Sequence, residues 1–137
     1  MTTIEDLKNT AKRIPNEFFN RGDYSVLDEC FTEDCVVHGP QGPAGKDMLL
    51  KMRGMLQTGF PGMKMTIEDV IGEHDKVVLR ISITGKHEGD FMGIAPTGKE
   101  VKMNGMQIWR FSGDKVTECW LIRDDLGLMQ EIGGMLS

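Results

Sequence analysis

The hydrophobic periodicity of the chain changes near its middle. In residues 4–20 and in the stretch that begins near residue 45, apolar residues recur at the three- and four-residue spacing of an amphipathic helix. From about residue 63 onward, apolar and polar residues alternate, as they do along half-buried strands. Helices followed by a run of antiparallel strands predict an α+β fold, a cone in which helices pack on one face of a curved antiparallel sheet and enclose an apolar pocket.

Proline and glycine divide the helical half of the sequence. Pro15 lacks a backbone N–H donor, so we expect a kink or a break inside the first helix. Gly22 ends that helix, and Asp23 can cap a short second one. A short strand over residues 35–38 and a third helix complete this half.

Strand periodicity predicts which polar side chains enter the pocket. If the alternating residues 77–83 face the core, the same side of an uninterrupted strand carries His87. Gln107 is the polar member of an otherwise apolar row on the next strand. The last strand places Trp120 and Asp124 on one side, although neither side is cleanly apolar. We expect Asp124 to enter the pocket, because a carboxylate among apolar groups becomes a stronger base for carbon acids.

Composition narrows the classes of function. The 137 residues predict one domain, 1–137. A net charge of −5 with scattered basic residues argues against nucleic-acid binding, and no apolar run is long enough to cross a membrane. Three cysteines without C-x-x-C spacing favour a reducing, cytoplasmic location. No His, Cys or carboxylate spacing matches a known metal motif, so we expect no metal site.

Two motifs resemble those of a known family. The stretch HEGDFMGIAPTGK, from His87 to Lys99, resembles the H-x-G-x-F-x-G-x-x-P-T-G-K loop of SnoaL-like polyketide cyclases. The stretch ECWLIRDDLGLMQ, from Glu118 to Gln130, is similar to the E-x-W-x-x-x-D-x-L-G-L-x-Q motif of the same family. Weaker matches at 20–23, 35–38 and 45–46 follow the family's order. The resemblance implies the nuclear-transport-factor-two-like cone.

The resemblance also implies an enzyme without a cofactor. Characterised members close a ring of an aromatic polyketide methyl ester by intramolecular aldol condensation, with an aspartate near the end of the last strand as acid/base. By motif position this residue is Asp124, and Asp125 takes its place if the strand slips by one residue. His87 in its protonated form, or the Gln107 amide, would stabilise the developing oxyanion. Further candidates for binding a small apolar carbonyl substrate are His38, Phe91, Trp109 and Trp120.

Several of these residues have simpler interpretations. Asp124 can cap the final helix, and His87 can bond a loop carbonyl. His38 can have a structural role beside the Gly-Pro turn, and the tryptophans can be core residues. Other functions also remain open: a ketosteroid-isomerase-like or epoxide-hydrolase-like enzyme, or a ligand-binding or dimerising module without catalysis. In the module, methionine and tryptophan side chains would fill the pocket and Asp124 would lie at the surface. Family architecture implies a homodimer or a higher homo-oligomer.

Overall fold

The computed structural model of the chain describes residues 2–133. It is an α+β fold with N-terminal helices on one face of a curved, open sheet of six strands. The helices are α1 (Ile4–Arg13), which continues as a π-helical turn (Ile14–Phe19), α2 (Ser25–Cys30), α3 (Asp47–Gly59) and α4 (Asp125–Glu131). The strands are β1 (Phe31–Gly39), β2 (Gly42–Ala44), β3 (Lys64–Glu73), β4 (Lys76–Lys86), β5 (Glu100–Ser112) and β6 (Lys115–Arg123).

The break expected at Pro15 is a change of helix type. Residues 14–19 form a π-helical turn, in which the N–H of Asn20 donates to the carbonyl of Pro15 at 3.0 Å. Since Pro15 has no N–H to donate, the regular α-helical ladder cannot continue through it. The turn buries Phe18 and Phe19 against the sheet, and Phe19 reaches the wall of the internal cavity.

The strand order is β2-β1-β6-β5-β4-β3. All neighbouring strands are antiparallel except β1 and β6, which run parallel. The β1–β6 pair is the parallel exception in the otherwise antiparallel sheet that the sequence predicts. Helix α3 and strands β3 to β5 lie between β1 and β6 in the chain, so the connection is long enough for a parallel pair. None of the described helices is long and apolar enough to cross a membrane.

Strand β5 alternates as the sequence predicts. Its inward residues are all buried: Val101, Met103, Gly105, Gln107, Trp109 and Phe111. His87, just beyond the end of β4, is also fully buried. The row that continues from β4 therefore carries this histidine into the core.

Strand β6 departs from strict alternation because it contains a β-bulge. Phe111 pairs with Val116, whereas Arg110, the residue before Phe111, pairs with Glu118. Thr117 is therefore an extra residue in β6. A one-residue slip moves every following side chain to the other face of the sheet. Beyond the bulge the inward residues are Cys119, Leu121 and Arg123, and the outward residues are Glu118, Trp120 and Ile122. The orientation expected for Trp120 and Asp124 is therefore reversed.

Candidate functional site

A small cavity lies between the inner face of the sheet and the helices. Its volume is about 40 Å³, which is room for one or two water molecules. Most of its wall is apolar and includes Phe19, Met52, Leu56, Met65, Ile81 and Leu121. The wall also contains Pro40, Ile83, Met106 and Ile122, and three residues with polar side chains: Gln107, Arg123 and Asp125. The cavity thus combines apolar walls with one amide, one cation and one carboxylate.

Asp125 and Arg123 form an ion pair at this wall. The Nε of Arg123 donates to Oδ1 of Asp125 at 3.1 Å, and the two side chains are 15% and 32% exposed. The Arg123 guanidinium also lies 5.9 Å from the centre of the Phe91 ring. Asp125 is the first residue of α4, where the helix dipole favours a negative charge. The ion pair therefore places a carboxylate, whose charge the arginine balances, at the wall of the apolar cavity.

Gln107 is the buried amide of the cavity. It is 3% exposed, and its neighbours on the two adjoining strands are Leu79 and Leu121. Its Nε2 donates to the thioether of Met65 at 3.6 Å, whereas Oε1 has no hydrogen-bond partner among the described residues. A buried amide oxygen without a partner costs about 1–3 kcal/mol. The Gln107 amide therefore keeps one buried acceptor that no described residue satisfies.

His87 ties the loop of residues 88–98 to the core and does not line the cavity. The backbone N–H of Thr97 donates to His87 Nδ1 at 3.2 Å, so Nδ1 is unprotonated and the proton of the neutral ring is on Nε2. The loop is also closed by hydrogen bonds from His87 N to Lys99 O and from Gly98 N to His87 O, both 2.8 Å. The protonated donor role considered for His87 is at odds with this tautomer.

Phe91 and Trp109 are buried but lie outside the cavity wall. The Phe91 ring lies 5.0 Å from that of Phe60, and the Trp109 ring packs edge-on against Phe31 at 5.9 Å. Both residues stabilise the core. Neither residue lines the cavity, where the predicted contact with a substrate would be made.

His38 and Trp120 lie on the outer face of the sheet. Their rings stack at 5.1 Å and 9°, and His38 Nε2 is 2.7 Å from Glu118 Oε2. Glu118 also accepts a hydrogen bond from Arg110 Nε at 2.9 Å. The sheet itself separates this cluster from the cavity, so these two residues are not brought to the site.

Asp124 also points away from the cavity. It is exposed, and its Oδ1 accepts from the backbone N–H of Gly127 at 2.9 Å, which caps α4. It borders an open cleft of the outer face together with Arg80 and Asn104. Of the two adjacent aspartates, Asp125 is the one that lines the cavity.

The sequence interpretation did not single out Arg123 or Met65. The signal for Arg123 was present, since Val116 and Leu121 are apolar residues of opposite parity and this conflict is typical of a bulge. The Met65 thioether contacts Gln107 from a strand 42 positions away, and no local pattern reveals such a contact. Within residues 2–133, no three His, Cys, Asp or Glu side chains come together as a metal site.

The chain is similar to solved structures over nearly its whole length. AclR from Streptomyces galilaeus, assigned as a hydroxylase, is 25% identical with a TM-score of 0.86, covering 98% of this chain and 100% of that one. A protein of Jannaschia sp. CCS1, assigned as a SnoaL-like polyketide cyclase, is 25% identical with a TM-score of 0.85, covering 99% and 98%. IdmH from Streptomyces antibioticus, assigned as a polyketide cyclase, is 27% identical with a TM-score of 0.81, covering 93% and 98%.

A search among curated proteins gave no match. The family model of SnoaL-like polyketide cyclases matches residues 9–132, which include the sheet, the cavity wall and both adjacent aspartates. The solved neighbours share the cone-shaped architecture of the nuclear-transport-factor-two-like fold. The chain belongs to the SnoaL-like polyketide cyclase family.

Proposed function

We propose that the chain is an enzyme of the cyclase or isomerase type that uses Asp125 as acid/base on a small apolar carbonyl compound. Family membership supports the general type of activity. The observation that carries the assignment of the acid/base is the position of Asp125 at the wall of the apolar cavity. Asp124, the residue at the motif position, lies on the outer face instead.

The proposed reaction moves one proton out to the enzyme and back. Asp125 removes a proton from a carbon that is flanked by carbonyl groups, and an enolate forms. The negative charge moves from the carboxylate to the enolate oxygen, where the Arg123 guanidinium at the same wall stabilises the charge. The enolate carbon then attacks a second carbonyl of the same molecule, and Asp125 returns its proton to the new alkoxide. Enclosure of both groups in one cavity makes the attack effectively unimolecular.

Substrate entry requires the cavity to expand. A volume of about 40 Å³ is far below that of an aromatic polyketide. Two methionines of the wall, Met52 and Met65, have flexible unbranched side chains that can adopt other rotamers. We therefore propose that the substrate enters by displacing methionine side chains while the backbone of the sheet stays in place.

Paired substitutions of the two aspartates test the assignment. With an aromatic polyketide methyl ester as substrate, Asp125→Asn should lower kcat by about 10²–10⁴-fold, the usual contribution of a general base. Asp124→Asn keeps the size of the side chain and should leave kcat within a few-fold. The reverse pattern would assign the reaction to Asp124, and unchanged turnover in both variants would overturn the acid/base proposal.

A second candidate function is a ligand-binding module without catalysis. The observation that favours it is the small volume of the cavity, with methionines in its wall and Asp124 at the surface. The module and the enzyme differ in one measurement. A module binds a carbonyl compound and releases it unchanged. The enzyme converts the compound to a product, and the Asp125→Asn variant does not.

We also propose that the chain forms a homodimer through the outer face of its sheet. Ile71, Met106 and Ile122 are 63%, 52% and 70% exposed on this face, which no helix of the described residues covers. Large exposed apolar patches are typical of protein interfaces.

The three cysteines are buried and unbridged, which supports a reducing compartment such as the cytoplasm.

A further inference from the structure

The ring of Phe91 contacts both helix α3 and the arginine of the ion pair at the cavity wall. The residue is 1% exposed, and Cζ of Arg123 lies over the ring, 5.9 Å from its centre. The same side chain packs on Gly59 of α3, where a Cβ would come within 2.8 Å of Cδ1 of Phe91. Phe91 does not line the cavity. An effect of the ring on the site therefore passes through the arginine.

Backbone hydrogen bonds fix the position of Phe91. The N–H groups of Glu88 and Gly89 donate to the carbonyl of Gly59 at 3.1 and 3.2 Å, which ties the loop that carries Phe91 to the end of α3. Phe91 and Ile94 exchange two backbone hydrogen bonds, at 3.0 and 2.9 Å, across a tight turn. The missing side chain of Gly59 leaves the space that Phe91 occupies. These contacts hold the ring independently of the arginine.

The guanidinium of Arg123 needs a second contact to be oriented. Its Nε donates to Oδ1 of Asp125 at 3.1 Å, which is its only hydrogen bond within residues 2–133. One hydrogen bond fixes a single point of the group and lets its plane turn about that point. The face of an aromatic ring attracts a planar cation and limits this rotation. The hydrogen bond and the ring contact together fix the orientation of the guanidinium.

We infer that Phe91 is a positioning residue for the proposed reaction, because its ring keeps Arg123 in place while the enolate forms. This inference deepens the proposed function and rests on it for the reaction. When Asp125 takes up a proton, it loses the charge that attracts the arginine. The neutral ring is unaffected by that transfer, so the guanidinium stays in place as negative charge appears on the enolate oxygen.

NMR of the Arg123 side chain tests this position without turnover. The signal of its Nε–H group should be shifted upfield by the ring of Phe91. In Phe91→Leu this signal should move downfield and exchange with water several-fold faster, whereas Phe91→Tyr retains the ring and should restore the wild-type shift. The matched control, Phe31→Leu, also removes a buried ring, but Phe31 pairs with Val116 near the opposite end of β6. It should leave the signal unchanged.

Three results of this measurement would overturn the inference. They are a missing or unshifted signal in the wild type, the same signal in Phe91→Leu and the wild type, and an equal displacement in Phe31→Leu. Melting curves verify that each variant is folded.

Gly59→Ala moves the ring without removing it. Because the added Cβ displaces Phe91, the Arg123 signal should also move in this variant. Gly54→Ala is the control on the same helix, since its Cβ meets no atom within 4 Å, and it should leave the signal in place. An Arg123 signal that stays constant in Gly59→Ala would contradict the contact that links α3 to the arginine through Phe91.

Turnover separates positioning from packing. With the aromatic polyketide methyl ester, Phe91→Leu should lower kcat by about three- to tenfold, the effect of one cation–π contact. KM should stay nearly constant, because Phe91 does not line the cavity. Phe91→Tyr should recover most of kcat, and Phe31→Leu should retain it. A displaced Arg123 signal with unchanged kcat in Phe91→Leu would overturn the positioning role.

Asp125→Asn separates this inference from the acid/base assignment. Full turnover in Asp125→Asn, together with a displaced Arg123 signal in Phe91→Leu, would overturn the proposed function and leave the contact of Phe91 with the arginine intact. Loss of turnover in Asp125→Asn, with the same Arg123 signal in Phe91→Leu as in the wild type, would overturn the role of Phe91 alone.

Discussion

Asp124 and Asp125 are adjacent in the chain and lie on opposite sides of the sheet. Asp124 caps α4 from the outer face, whereas Asp125 pairs with Arg123 at the wall of the cavity. The capping role predicts that Asp124→Ala lowers the free energy of unfolding by about 1 kcal/mol, because the N–H of Gly127 loses its acceptor. Asp124→Ser retains a capping oxygen and should lie near the wild type in urea denaturation. Equal losses in both variants would argue against the cap.

The orientation of these residues depends on a bulge that the periodicity of β6 indicates but does not assign to a particular residue. Alternation predicted the inward row of β5, including Gln107, because that strand pairs with β4 without interruption. In β6 the extra residue, Thr117, moves Arg123 inward and Trp120 outward. The bulge depends on how β6 pairs with β5, so a periodic pattern read along one strand cannot locate it.

Contacts between segments that are far apart in the chain could not be predicted from the sequence either. His87 was expected to enter the core, and it does, but its ring nitrogen is bound by Thr97 and not directed at the cavity. Motif and periodicity named Gln107 and Asp125 of the cavity wall as candidates, but not Arg123 or Met65. The contact partners could not be predicted, because Thr97 reaches His87 and Met65 reaches Gln107 only in the folded chain.

Two glycines of α3 have opposite expected responses to alanine. A Cβ at Gly59 would lie 2.8 Å from Cδ1 of Phe91 and 2.9 Å from its Cβ, so Phe91 would have to move. Gly59→Ala should therefore destabilise the protein by about 1–3 kcal/mol, the usual cost of overpacking. Gly54 has no atoms within 4 Å of such a Cβ, and Gly54→Ala should stabilise the helix by about 0.5–1 kcal/mol.

Thermal or urea denaturation of the two variants gives the comparison directly. Chemical shifts of the loop of residues 88–98 should change in Gly59→Ala and stay constant in Gly54→Ala, because only the first displaces Phe91. If Gly59→Ala were as stable as Gly54→Ala, the packing of Phe91 on α3 would be refuted.

Glu118 makes the stability of the outer face depend on pH. The hydrogen bond from His38, and then that from Arg110, lower the pKa of Glu118 below its ordinary value. Asp75, 4.0 Å from Arg110, is the other charged group at this cluster. Because the folded state holds the proton less tightly, the stabilisation is complete above the ordinary pKa of about 4.3 and is lost as pH falls through the lower folded value.

The variant Glu118→Gln isolates this contribution. Its free energy of unfolding should decrease less than that of the wild type between about pH 5 and pH 3, since it has no carboxylate to protonate. Direct titration by NMR should show the pKa of Glu118 rising toward its ordinary value in His38→Gln. Identical pH profiles for Glu118→Gln and the wild type would contradict the linkage.

The outer face of the sheet has the area and the chemistry of a self-association surface. Ile71, Val78, Ile108 and Trp120 face one another across four strands in one row, and Met106 pairs with Ile122 in the next. Five strands about 4.8 Å apart and about nine residues long cover roughly 700 Å², near the 800 Å² that one partner contributes to a stable interface. The neighbouring charges form pairs within the face, Arg80 with Asp69 and Arg110 with Glu118, so no strongly charged partner is favoured.

Ile122→Asp should therefore convert a dimer into a monomer. Ile122 is 70% exposed, so the substitution removes no buried side chain but places a carboxylate in one of the apolar rows of the outer face. Leu126→Asp is the matched control, because Leu126 is 57% exposed on α4, away from the apolar rows. Sedimentation equilibrium should give a dimer for the wild type and for Leu126→Asp, and a monomer for Ile122→Asp. A monomeric wild type, or a dimer that persists in Ile122→Asp, would refute this assignment of the interface.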